Sequence, residues 1–524
     1  MKIGWNKKGY LLKQMVLLWF LLGIFLSSSI LPALSQITIA NSTAQQYFQQ
    51  AEVFYQAEDF AQAAEYLEKA AELFRTEKKW EDLATSLTNL GRSRLILGQP
   101  QAALNNWEEV AKLYRQLNQP EQIIIDNQIY QIEALQALGR YQDAETKREH
   151  LEKTLSFPKF PDSPTKVRGL RVMGEVLRSF NLQKSEETIK KSLETAQRLP
   201  PNQEINQEIS RTLASLGNTF SAQARRIRIL QDDPTTKYDY FPWRCEQTSL
   251  PKEVSEKYSQ AMANYEQAIA KSPSQRNKTD IQLNQLKLQV DSGQLDDARN
   301  LWPKIDLSQF SETSHFKVNA QIKLAKSIAC LKPQYHGVAV DNVPSWEEIE
   351  KLLQQAVADA ESLADAQRTE SYAVGNLAGM YEYWGWLLAN HQQAERAKDY
   401  RLTSIKLTYR ALELAQSINA SDITYQWHWQ LARLWKAEGN RQKALDSYKL
   451  TAQAIDNFRE NTGTIPSTLR ELNSDQYFDF RQNVEPAYRQ LIALLLEPTS
   501  GKDQPSPTAI KEALRYFQSF QADR

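Results

Sequence analysis

Residues 44–74 read AQQYFQQAEVFYQAEDFAQAAEYLEKAAELF. Apolar positions recur at three- and four-residue steps on both sides of a short polar break at Glu58-Asp59. That is the pattern of two amphipathic helices joined by a turn. Ala51 precedes Ala63 by twelve residues, and the spacing returns at Gly91 and Ala103, Ile132 and Ala144, Leu286 and Ala298, and Ala432 and Ala444. The second residue is alanine in all five copies. A small residue on each of two antiparallel helices, A and B, lets their backbones approach. Leu67, Trp107, Trp302 and Tyr448 are then placed to fill the layer beside them.

The frame extends along the chain. The A-helix anchors are Ala51, Gly91, Ile132, Gly174, Gly217, Leu286, Ala325, Ala378 and Ala432. The first five are 40, 41, 42 and 43 residues apart; the next four intervals are 69, 39, 53 and 54. The long intervals come back to near 40 once the A-to-B spacings of 44 (Gly217 to Ala261), 24 (Ala325 to Ile349) and 26 (Ala378 to Ser404) are reduced to twelve. Insertions are therefore expected near residues 225–257, 331–345 and 386–400. A period of about 40 in helix pairs predicts an all-α solenoid, a right-handed superhelix of about nine to ten helix pairs over residues 36–470. Residues 471–524 read as C-terminal helices closing it.

Glycine marks the same frame. Gly98, Gly139, Gly293, Gly385 and Gly439 each sit seven after an anchor, where a helix end favours a left-handed residue. Gly91, Gly174 and Gly217 are anchors themselves. Three copies depart: repeat four has Ser185 for alanine, repeat three has Arg148 where an apolar residue is usual, and repeat seven follows only by register. The whole pattern (small, aromatic, Gly, aromatic, Ala, aromatic, Ala) resembles the tetratricopeptide repeat, with Phe54, Phe60, Tyr141, Phe220 and Tyr381 in its aromatic slots. The resemblance implies a protein-binding scaffold.

Composition narrows the classes. The 524 residues carry 63 Lys plus Arg and 63 Asp plus Glu, no basic excess of the kind that coats nucleic acid. Only 17 glycines and two cysteines speak against glycine-rich phosphate loops and cysteine metal clusters. No cofactor is expected. At the N-terminus, Lys2, Lys7, Lys8 and Lys13 precede an uncharged run from Met15 to Leu34, and Ala33-Leu34-Ser35 offers a small-x-small cleavage site. Residues 1–35 read as a signal peptide, the alternative being a membrane anchor through residues 15–34. Either places the body outside the cytoplasm, secreted or periplasmic. Without those four lysines the balance is 59 basic to 63 acidic residues.

Residues 475–496, DQYFDFRQNVEPAYRQLIALLL, resemble the segment that closes the tetratricopeptide region of bacterial CHAT-domain proteins. The match lies in Phe480-Arg481, Val484-Glu485-Pro486 and Tyr488-Arg489. In that family a caspase-like domain with His and then Cys follows. Here the last residues read as one more amphipathic helix. The resemblance thus implies a free-standing scaffold or the scaffold half of a CHAT-type cysteine peptidase with catalysis on a separate chain.

Candidate chemistry is thin. Cys330 has His315 and His336 near it in sequence, but no rigid sheet is expected to align a dyad. Cys330 can be a small packing residue, or it can pair with Cys245 outside the cytoplasm. His150, His315, His336, His391 and His428 show no metal-ligand spacing. In Trp427-His428-Trp429 adjacent residues point about 100° apart, so one tryptophan is expected in the core and the other exposed.

A-helix residues one and four after each anchor, joined by Arg171 three before Gly174, should line a partner-binding groove. The basic ones are Arg92, Arg171, Arg178, Lys287, Lys326, Arg433 and Lys436; the acidic ones are Glu52, Glu133, Glu175 and Glu382; Tyr55, Asn218 and Gly379 complete the set. The basic excess fits an extended peptide with an acidic or C-terminal carboxylate group, set against the plainer reading of solvated surface charge. The aromatic insertion residues Tyr238, Tyr240, Phe241 and Trp243 are a second candidate, either as interface anchors or as a cover for the core beneath.

Overall fold

The computed structural model describes residues 43–138, 140–155, 160–231, 242–243, 245, 250–310, 313–332, 342–363, 366–461, 485–498 and 504–522. These form an all-α, tetratricopeptide-like solenoid with no strand among the described residues. The A helices are α1 (Thr43–Gln56), α3 (Trp80–Ile96), α5 (Glu121–Ala137), α7 (Pro164–Leu177), α9 (Gln203–Gln231), α11 (Gln275–Asp291), α13 (His315–Ala329), α15 (Gln367–Asn390) and α17 (Ser421–Ala437). Their B partners are α2 (Phe60–Thr76), α4 (Pro100–Gln116), α6 (Tyr141–Leu155), α8 (Leu182–Gln197), α10 (Lys252–Lys271), α12 (Leu295–Leu301), α14 (Trp346–Glu361), α16 (Ala394–Ser417) and α18 (Arg441–Asn461). A tenth pair, α19 (Glu485–Leu496) and α20 (Pro507–Ala522), follows.

Two compact units divide the chain, Met1–Asn89 and Leu90–Arg524, with the boundary inside α3. In the first, α1 packs on α2 through Ala51 and Ala63, both fully buried. Asp59 caps α2 by accepting from the Gln62 amide at 2.9 Å. Glu58, seven after the anchor, adopts the left-handed backbone that glycine takes in other copies, with φ 61°.

In the second unit the remaining pairs follow the predicted frame. Ile132, Leu286, Ala325, Ala378 and Ala432 are fully buried, as are Ala103, Ala144, Ala261, Ala298, Ile349 and Ala444 on the B helices. The glycine anchors are close-approach sites: a Cβ on Gly217 would lie 2.6 Å from the Tyr265 ring and 3.2 Å from the Ala261 carbonyl oxygen. The serines that replace alanine keep the approach by bonding across it. Ser185 Oγ donates to the Gly174 carbonyl and Ser404 Oγ to the Ala378 carbonyl, each at 2.7 Å. Arg148 is buried yet paired, 2.7 Å from Glu145 and 2.6 Å from Glu152.

Three expectations are corrected, and one repeat is irregular. Gly98, Gly293 and Gly439 do take φ of 73–75° in turns. Gly385, however, lies inside α15, where its missing Cβ makes room for the Ala397 carbonyl 3.2 Å away. Gln392, with φ 60°, makes that turn instead. For the same reason the extra residues near 386–400 form no looped insertion; they lengthen α15 and α16. Repeat six has a B helix of only seven residues, because Pro303 converts its end to a 3-10 turn carrying Trp302, whose indole donates to the Asn342 carbonyl at 2.7 Å. Lastly, Trp427 and Trp429 are both buried, 4% and 2% exposed. Trp427 packs on Gly375 and donates to Ser371 at 2.9 Å, while Trp429 donates to Gln490 of α19 at 2.7 Å. Helix α17 has a neighbour on each side, so neither indole meets solvent.

The helix stack also meets itself at long range within this unit. A Cβ on Gly98 would lie 2.5 Å from the His315 ring at the start of α13, and Arg276 of α11 reaches the Ile96 carbonyl at 3.4 Å.

Candidate partner-binding face

Successive A helices of the second unit lie side by side, so residues at equivalent frame positions meet across repeats. On α5, α7 and α9 they form a charged ladder. Arg168 pairs with Asp126 at 3.0 Å and with Glu208 at 3.3 Å. Arg171 lies 3.1 Å from Glu133, 3.0 Å from Glu175 and 3.6 Å from Glu208. Glu208 is 2% exposed and also meets Arg211 at 3.3 Å. Its burial alone would raise its pKa, but the Arg171, Arg211 and Arg168 guanidinium groups outweigh burial and hold it below the ordinary carboxylate value. Arg92 places its guanidinium 5.9 Å from the Tyr130 ring centroid.

The predicted groove residues thus separate by environment. Arg171, Glu133 and Glu175 are consumed in the ladder. Arg433 is held bidentate by Glu382 at 2.7 and 2.8 Å, over the Trp429 ring. Lys436 meets Glu497 at 3.3 Å, and Lys287 meets Asp291 of its own helix at 2.7 Å. Asn218 accepts from the Tyr265 hydroxyl at 2.8 Å. In the first unit Glu52 is exposed and Tyr55 packs edge-on to Phe60.

Two cations differ. Arg178 donates to Thr219 Oγ1 at 3.0 Å and to Ser215 Oγ at 2.7 Å, and no carboxylate among the described residues pairs with it. Burial lowers its pKa from the ordinary arginine value. Lys326 likewise has no carboxylate partner among the described residues; its ammonium lies 5.8 Å from the Trp243 ring centroid. The residue as a whole is half-buried, but protein surrounds the ammonium, and desolvation, with Lys287 nearby, pushes its pKa down to about 8.

Trp243 comes from the connection between α9 and α10, yet it is 5% exposed and belongs to the core built from α11, α13 and α15. Its indole nitrogen occupies the space above Gly379, where a Cβ would lie 2.5 Å away. Both Lys326 and Gly379 are predicted groove positions, so the chain's own insertion covers them. Tyr238, Tyr240 and Phe241 lie outside the described residues. Cys245, two residues on, is bonded to Cys330 at the end of α13, Cα to Cα 5.4 Å. That bond removes Cys330 as a nucleophile, and His315 is buried against Thr369. Among the described residues no group of three or more His, Cys, Asp or Glu is placed to hold a metal ion.

Sequence reasoning missed Arg168, Asp126 and Glu208. They lie six to nine residues before their anchors, beyond the segment followed along each A helix. The i, i+3 pair Arg168 and Arg171, facing acids one repeat away on each side, is the signal that could have found them.

The tetratricopeptide-repeat family model matches residues 42–116. No curated protein sequence matches the chain. Among solved structures it is similar to the apo form of RapI, with 12% identity over 80% of this chain and 99% of that one, TM-score 0.39. It is also similar to yeast Tom70, with 12% identity over 86% and 98%, TM-score 0.27. A third is a tetratricopeptide repeat protein from Parabacteroides merdae, with 14% identity over 63% and 98%, TM-score 0.32. The tetratricopeptide repeats matched over residues 42–116 and the helix pairs that continue their frame make this chain a tetratricopeptide-like α-solenoid.

Proposed function

We propose that the chain is a non-catalytic protein-interaction scaffold, exported from the cytoplasm, whose A-helix face receives an extended peptide bearing an acidic side chain or a C-terminal carboxylate. The observation that carries the charge preference is Arg178, a cation on that face that forms no ion pair with a carboxylate among the described residues. Arg171, Lys287, Arg433 and Lys436 of the same face are each paired with a carboxylate. The disulfide supports an oxidising compartment, and so does the signal-like pattern of residues 1–35. Among the described residues no helix is long and apolar enough to cross a membrane.

The test is affinity purification of the mature chain from the extracytoplasmic fraction, followed by identification of bound proteins. Arg178→Gln combined with Lys287→Glu is expected to weaken the captured partner at least tenfold. Unchanged affinity would end the charge reading, and a chain found only in the cytoplasm would end the export reading. A second reading rests on α19, where Glu485 pairs with Arg489 and Tyr488 is buried within the CHAT-like motif. It makes the chain the scaffold half of a split CHAT-type peptidase. That reading expects a His…Cys protein among the captured partners.

A further inference from the structure

We propose that the A-helix face of repeats seven and eight is a socket for an aromatic side chain, filled in the resting chain by its own Trp243 and held shut by the Cys245–Cys330 disulfide. Reduction of that bond opens the socket to an aromatic residue of a protein partner. The proposal rests on the interaction-scaffold reading but not on the partner's charge.

Three features converge on the indole. Trp243 is carried by the connection of repeat five, two and three repeats before the helices it covers. A glycine lies beneath it at a position where other repeats present side chains, and any Cβ there would collide with the indole at 2.5 Å. An ammonium without a carboxylate partner among the described residues stands 5.8 Å from the ring centroid, a cation–π arrangement that recognises aromatic rings. A segment serving only to fill the core would not need that desolvated charge, whose depressed pKa marks its cost. The tether is the disulfide, anchored at the C-terminal end of α13, four residues after Lys326.

The opening step is thiol–disulfide exchange. A dithiol reductant delivers two electrons and two protons to the Cys245–Cys330 bond, giving two thiols, and becomes a disulfide itself. Trp243 is then held only by packing and the Lys326 contact, and an aromatic side chain presented at high local concentration by a bound partner can displace it.

The test uses the full chain, with N-acetyl-L-tryptophan as probe and N-acetyl-L-alanine as control, binding read by equilibrium titration and folding by circular dichroism. Oxidised wild type is expected to show no saturable binding. Trp243→Ala with the disulfide intact, and wild type reduced with dithiothreitol, should both bind the tryptophan probe at least tenfold more tightly than the control. Adding Lys326→Gln to Trp243→Ala should weaken that binding at least fivefold. The proposal is overturned if oxidised wild type binds as well as Trp243→Ala, or if a helical Trp243→Ala chain does not bind. Should Trp243→Ala lose helix content, reduced wild type decides: failure to bind, or cooperative loss of helix on reduction, makes the segment a structural staple and ends the proposal. Partner capture under oxidising conditions is unaffected by any of these results, so the scaffold reading fails or survives separately.

Discussion

Repeats three to five and repeats seven and eight present the same frame positions on their A helices, yet opposite means stabilise them. In the first region, charges on α5, α7 and α9 neutralise one another across repeats, and Glu208 sits 2% exposed among Arg168, Arg171 and Arg211. In the second, an insertion supplies an indole and a covalent tether, and Lys326 is left uncompensated. A solenoid repeat contacts mainly its neighbours, so each stretch of face can be built independently. The ladder closes its own stretch. The second stretch is covered by a part the chain can release.

Removing the tether should have the largest effect. Cys245→Ser with Cys330→Ser restores the freedom of an 85-residue loop in the unfolded chain and is expected to cost about 4–5 kcal/mol. Urea unfolding followed by circular dichroism measures it, and a loss below about 1 kcal/mol would erase the contrast between the regions.

Glu208→Ala comes next. It removes a carboxylate shared by three guanidinium groups, leaving Arg168 with Asp126 and Arg171 with Glu133 and Glu175, and should cost about 1.5–3 kcal/mol, whereas Glu208→Leu with Arg171→Met should recover part of that loss. The sign with pH follows from the depressed carboxylate. Its contribution is present above the ordinary value of 4.5 and is lost as pH falls through the lower folded value. Wild type should therefore lose stability below pH 4.5 more steeply than the double variant, and unfolding curves across pH 3–7 decide it.

Lys326→Met works in the opposite direction. Below about pH 8 the ammonium is charged in both folded and unfolded chains, so its desolvation cost stands in full; it fades as pH rises from about 8 towards 10.5. The variant should gain about 1 kcal/mol at pH 7, after allowing for partial solvation, and little at pH 10. A destabilised variant would mean that the cation–π contact outweighs the burial cost. The smallest effect lies outside both regions. Lys78 holds φ 57° after α2, and Lys78→Gly should raise the thermal midpoint of its unit by the equivalent of about 0.5–1 kcal/mol.

Much of the fold was legible because helix pairing imposes a local rule. Two helices that touch need small residues at facing positions, so Ala51 and Ala63, or Gly91 and Ala103, reveal the pairing by spacing alone. Even the departures obey it, since Ser185 and Ser404 stay small and return their hydroxyls to the anchor carbonyls. The face was less legible. Frame positions identified Arg171, Arg178 and Lys326 as neighbours of the groove. Which of them carries an unmatched charge depends on residues 30 to 40 positions away, and no periodicity reports that. Trp243 was visible as an aromatic in a long connection, but both of its readings stayed open because nothing local says where a connection lands.

The amino-acid sequence by itself determined the all-α class, the period of about 40 residues and the contact positions of nearly every pair, because each depends on residues within one repeat. The tertiary structure alone decided that Cys245 meets Cys330, that Gly379 lies beneath Trp243, and that Glu208 sits among three arginines. Those meetings depend on how one repeat stacks on the next and on where an insertion returns, and both are set by the summed geometry of many helix contacts.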